Sequence, residues 1–188
     1  MDNNTLYMIV IVVVVLVIVG VILGVVSSQR KRSQQKLHDR FGPEYEHTVQ
    51  AMGDEKKAQT ELVERQKHVE ALDIRPLSVE ERTRYLAEWA TVQSKFVDEP
   101  GQAIIDADRL ITEVMQLRAY PVADFDQRAA DISVNYPALV SNYRAARQIA
   151  NKNKLQQADT EELRQAMIYY RSLFEELLGT EAVVVEEK

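Results

Sequence analysis

His38, His47 and His68 are the only imidazoles of the chain, and there is no cysteine. All three precede the region in which apolar residues recur most regularly. A Ser-His-Asp arrangement in the core therefore has no base, and a cysteine nucleophile or thiolate metal site has no ligand. Glu44 and His47 stand at i, i+3, the spacing that puts two ligands on one helix face in di-iron carboxylate bundles. Such a site needs a second Glu-x-x-His pair and two further glutamates, and no second pair exists; the expectation in its place is an exposed helix turn. Asp106 with Asp108, and Asp124 with Asp126, are acids two apart. A calcium loop of the EF-hand type needs five or six ligand positions around a central glycine, so these read as a polar face. Beyond residue 26 the glycines are Gly42, Gly53, Gly101 and Gly179, each standing alone, which allows neither a phosphate-cradling loop nor a dinucleotide fingerprint. No catalytic, cofactor or metal site is expected, and the chain reads as a non-enzyme.

Two clusters have the composition of interface anchors: Tyr143 with Arg144 and Arg147, and Tyr169 with Arg171. They are the candidate partner contacts. Against this stands the placement of Tyr rings at the edge of a small core, and of Arg144, Arg147, Lys152 and Lys154 toward a helix end, where cations suit the macrodipole. The formal net charge is −6. That is no footprint for nucleic acid.

The elements that must carry these residues fall into two regimes. Leu6 to Val26 is apolar except for Gly20 and Gly24, and as a helix it would be roughly 31 Å long, close to the thickness of a bilayer core. The expectation is one transmembrane helix over 6–26, preceded by a short external N-terminus, 1–5. A cleaved signal peptide is the alternative, disfavoured by the acidic start and the length of the run. Arg30, Lys31, Arg32 and Lys36 follow the apolar run, and by the positive-inside rule they set the chain N-out with its C-terminal domain in the cytoplasm; the same cations could hold anionic headgroups. Gly20, Gly24 and Ser28 repeat at i, i+4, i+8 and are the candidate face for a homodimer through the membrane helix.

A basic juxtamembrane linker, 27–42, ends at Gly42-Pro43, where a new helix can begin. Residues 43–72 carry a thin apolar stripe with Glu61–Arg65 and Glu64–Lys67 pairs in support, and read as one polar stalk helix. Ser78 to Glu81 is a capping box. From there Tyr85, Trp89, Val92 and Phe96, then Ile104 to Met115, Phe125 to Tyr136, Leu139 to Ala150, and Leu163 to Leu177 recur at helical spacing between Pro and Gly breaks. The fold expected is all-α: a single transmembrane helix, a helical stalk, and over 78–178 a small bundle of four to five antiparallel helices. An acidic tail, 179–188, reads as disordered.

The runs RFGPEYEHTV, LVERQKHVEALDIRPLSVEERTRYLAEWATVQSKFVDEP, FDQRAADISVNYPALVSNYRAA and TEELRQAMIYYRSLFEELL resemble an uncharacterised family of bacterial membrane-anchored helical proteins. The resemblance covers most of the chain after residue 36. It implies a bacterial inner-membrane setting and brings no activity, ligand or site residue. The reading that results is a single-pass, membrane-anchored helical adaptor or scaffold with a protein partner and no cofactor. Its alternative is an exported protein of the cell envelope.

Overall fold

The computed structural model describes residues 32–179. The described residues up to Arg40 belong to one unit and those from Phe41 onward to another. In the first, residues 32–40 are helical, Gln35 Nε2 donates to Asp39 Oδ1 at 2.9 Å one turn on, and Arg32 and Lys36 are exposed.

The second unit holds seven helices among the described residues: α1 (Pro43–Met52), α2 (Glu55–Glu70), α3 (Val79–Lys95), α4 (Pro100–Leu117), α5 (Phe125–Asn135), α6 (Val140–Lys154) and α7 (Thr160–Leu178). Each start has a local cause. Pro43 and Pro100 open α1 and α4, where a missing N–H costs nothing. Asp54 and Asp124 cap α2 and α5 through their carboxylates, and full capping boxes, Ser78 with Glu81 and Asp159 with Glu162, open α3 and α7.

The expected stalk is corrected. Gly53 takes φ 64° and returns its N–H to the Val49 carbonyl, and Asp54 at once caps a new helix. A left-handed residue followed by an N-cap turns the chain, so residues 43–70 fold as a hairpin, α1 against α2, and α2 lies on α5. A lone glycine in a helical stretch lowers stability by only about 1 kcal/mol, so the residue type alone does not mark the break.

The main core is built around α4 and α7. Ile104, Ala107, Ile111, Val114 and Met115 of α4 are fully enclosed, as are Ala166, Tyr170, Leu173 and Phe174 of α7. α7 packs along α6 and α4, α3 along α4, and α5 on α6. This core runs from Leu77 to Leu178 and includes no residue of the hairpin. Phe41, Tyr45, Ala58, Leu62 and Val69 are buried, yet lie outside it.

The expectation of a membrane helix is also corrected. Among the described residues no helix is long and apolar enough to cross a membrane. The longest, α7, carries Glu161, Glu162, Arg164, Arg171, Glu175 and Glu176, whose transfer to hydrocarbon would cost several kcal/mol at about 2.5–3.5 per central charge. The segment expected to span, 6–26, lies outside the described residues, as do Gly20, Gly24, Ser28, Arg30, Lys31 and the tail 180–188. Among the described residues the architecture is all-α, with no transmembrane helix. The single-pass orientation, the inner-membrane placement and the dimer through a membrane helix find no spanning helix to rest on among the described residues.

Candidate functional site

The most heavily charged enclosed region lies where the hairpin meets the bundle. Gly42, at φ 47°, and Pro43 start α1 so that Glu44, Tyr45 and Thr48 face inward. Glu44 is only 1% exposed. An isolated carboxylate could not stay ionised in such a place, and this one is clamped from two sides. Arg144 of α6 donates Nη1 to Oε2 at 2.6 Å and Nη2 to Oε1 at 2.8 Å, a forked pair, while Arg65 of α2 donates Nη1 to Oε1 at 3.0 Å. Arg65 is itself aligned by Glu61, one turn earlier, at 2.8 Å from Nε. His47 Nδ1 stands 3.8 Å from Oε2 with its ring half exposed. One carboxylate thus joins three helices.

A second acid sits under the same helix. Asp131 of α5 is fully buried; Gln127 Nε2 donates to its Oδ1 at 2.8 Å, and Oδ2 meets no partner. His68 Nε2, from α2, approaches to 3.6 Å with its ring 46% exposed. Burial raises the Asp131 carboxyl above the usual carboxylate range, and the Gln127 amide and the nearby His68 and Arg65 charges oppose that rise.

A third polar set lies inside the bundle. Asp108 of α4 receives Arg147 Nη1 at 2.5 Å and the Tyr170 hydroxyl at 3.1 Å. Tyr143 is fully buried, 5.0 Å from the Phe125 ring and 6.3 Å from that of Tyr170. Its hydroxyl has no partner in hydrogen-bond geometry, and burial pushes its phenol up to about 12 against the tempering charge of Arg128. Burial raises Tyr170 as well, with the Asp108 charge adding to it.

The residues expected to contact a partner are therefore dispersed. Tyr143 is inside, Arg144 grips Glu44, and Arg147 grips Asp108 while lying 5.4 Å over the Phe125 ring. Tyr169 is half buried against the core, and Arg171 is exposed, 3.7 Å from Glu175. The paired acids divide their tasks: Asp106 meets Lys95 at 2.9 Å, Asp124 caps α5 and Asp126 is exposed. Among the described residues no three His, Asp or Glu gather as metal ligands. A cleft of about 210 Å³ between α3 and α4 is lined by Lys95, Asp106, Arg109 and Glu88. Its charges already pair, Lys95 with Asp106 and Arg109 with Glu113.

Glu44, Arg65, His68 and Asp131 were not marked as a set by the sequence. Glu44 read as part of an exposed turn, and the structure reverses that because the hairpin folds over it. The one available signal was an acid at i beside Tyr45 and before Thr48, three residues that share the inward face of α1.

No family model, no curated protein and no solved structure matches this chain. The resemblance to a membrane-anchored bacterial family is thereby corrected: it finds no match to support it. Neither functional reading, the anchored adaptor or the exported envelope protein, is supported: among the described residues no helix is long and apolar enough to cross a membrane.

Proposed function

We propose that this chain is a non-catalytic, two-part helical domain that works by a change of conformation: the α1–α2 hairpin is a movable cover latched onto α5 and α6. The observation that carries this reading is the Glu44 clamp, in which one buried carboxylate of the hairpin holds Arg144 of the bundle. Two further facts support it. The main core includes no residue of the hairpin, whose own buried side chains lie outside it. The joint is also rich in charge, and charges released into water recover hydration that apolar groups would not. The non-catalytic part of the reading rests on the engagement of the reactive side chains with one another: Glu44 with two guanidinium groups, Asp108 with Arg147 and Tyr170, and Arg118 with the Leu177 carbonyl and the Tyr136 hydroxyl.

Native-state hydrogen exchange on Glu44→Gln tests it. Removing one charge of a buried pair strands the other and costs about 3–5 kcal/mol. Amides of α1 and α2 should lose protection by roughly a hundredfold or more, while those of α4 and α7 keep theirs. Exchange of the hairpin only together with α4 and α7, in the parent chain and the variant alike, would mean a single cooperative unit and would overturn the reading.

A further inference from the structure

The hairpin is held at two places that differ in kind. At Glu44 the charges balance locally, the Glu44 and Glu61 carboxylates against the two permanently charged guanidinium groups of Arg65 and Arg144. At Asp131 they do not. The carboxyl is enclosed, one oxygen is without a donor, and the side chain that approaches from the hairpin is a histidine whose other side is open to water. Histidine is the side chain whose charge changes between about pH 5 and 8. Resting on the hairpin reading above, we propose that the Asp131–His68 contact makes the latch proton-operated: the hairpin stays down while the pair shares at least one proton and loosens once both have lost theirs.

The chemistry follows from what each state leaves buried. With His68 protonated, the imidazolium faces the carboxylate across 3.6 Å and offsets its charge. With Asp131 protonated, the buried group is neutral and Oδ2 can carry the hydrogen. With neither, an anion remains under α2 held by one amide, from Gln127. An unpaired buried charge is costly, and lifting α2 exposes it to water.

The surrounding charges leave this balance unfilled. From α2, Arg65 lies near Asp131 and bonds to Glu44 and Glu61. From α1 and α6, Glu44 and Arg144 satisfy each other. On α5 itself, Asp124 adds a repelling charge, and Arg128 turns its Nη1 to the Val122 carbonyl at 3.2 Å. Tyr120, whose phenol senses Asp131, accepts from Asn135 at 2.8 Å. The sign is that of an acid whose docked carboxyl lies above its free value: docking is fully supported at low pH and weakens as pH rises through the docked value.

The test is hydrogen exchange of the whole chain from about pH 5 to 9, corrected for intrinsic exchange and read separately for α1–α2 and for α4 with α7. The hairpin's opening constant should rise with pH by up to about tenfold per unit, the limit for one linked proton. Asp131→Asn should flatten that slope. His68→Gln, a substitution on a half-exposed ring, leaves the Asp131 carboxyl as the one proton site of the pair and should shift the rise along the pH axis, which serves if Asp131→Asn does not fold. A hairpin that opens independently of the bundle with no pH dependence, or one whose pH profile is the same in both variants as in the parent chain, would overturn the proton latch and leave the movable hairpin standing. A hairpin that opens only with the bundle would overturn the movable-cover reading and the latch with it.

Discussion

Trp89 of α3 lies flat on Phe174 of α7, ring centroids 4.5 Å apart and planes 18° from parallel. The pair ties α3, which packs along α4, directly to the last helix, and stacked rings of this kind add about 0.5–1.5 kcal/mol beyond the area they bury. Both rings belong to the closed core, and Trp89 is the chain's single tryptophan. Its fluorescence therefore reports on one seam.

Phe174→Ala should lower stability by about 3–5 kcal/mol, the range for deleting a buried aromatic side chain. Urea unfolding followed at Trp89 gives the shift, and native emission should change because the stacked face loses its neighbour. A loss under about 1 kcal/mol would mean that the seam tolerates the cavity and that α3 is held by α4 alone.

The two core tyrosines should respond in opposite ways to the same deletion. The Tyr143 hydroxyl is buried with the Arg128 guanidinium near it but outside hydrogen-bond geometry, so Tyr143→Phe should leave stability unchanged or raise it. Tyr170→Phe removes a hydrogen bond to the Asp108 carboxylate and should cost about 1.5–3 kcal/mol. Because folding raises the Tyr143 phenol to about 12 from the ordinary 10, its contribution is complete below about pH 10 and is lost as pH rises from there toward 12. Spectrophotometric titration should show this phenol ionising late or only on alkaline unfolding, and the late step should vanish in Tyr143→Phe.

Where the sequence was informative, the signals were local. Ser78 with Glu81 promised a capping box, and Ser78 Oγ accepts from the Glu81 N–H at 3.2 Å while Glu81 accepts from the Ser78 N–H at 2.9 Å. The stripes through Tyr85, Trp89 and Val92, or Leu163, Met167, Tyr170 and Phe174, are buried because period alone fixes which face turns inward. What escaped was pairing at long range. Arg144 reads as an interface anchor because its spacing to Tyr143 is visible, whereas its partner Glu44 stands a hundred residues earlier. Gly53 misled for a related reason: whether a lone glycine is tolerated within a helix or reverses the chain is decided by what the second arm lands on.

Glu81 offers a test at the surface. Arg75 donates to both of its oxygens, at 2.9 and 2.8 Å, and together with the Ser78 N–H holds its carboxyl down at about 2. A depressed acid supports the fold above its ordinary value of 4.5, and that support fades as pH falls toward 2. Carboxyl-detected NMR titration should place Glu81 well below 4.5, and Arg75→Ala should return it upward. A Glu81 midpoint near 4.5 in the parent chain would show that the Arg75 fork does not persist in solution.

The closed core of the bundle sets different rules for change in the two parts. Within α3 to α7, side chains interlock, so substitutions at neighbouring positions are coupled and must compensate one another. The hairpin meets that assembly through the Glu44 and Asp131 contacts and its own buried side chains, Tyr45, Ala58, Leu62 and Val69, none of which belongs to the main core. Its exposed face can vary so long as Glu44, Arg65 and His68, the left-handed Gly53 and the buried Tyr45, Ala58, Leu62 and Val69 keep their positions. A chain built this way can alter how readily its cover lifts without renegotiating the packing beneath.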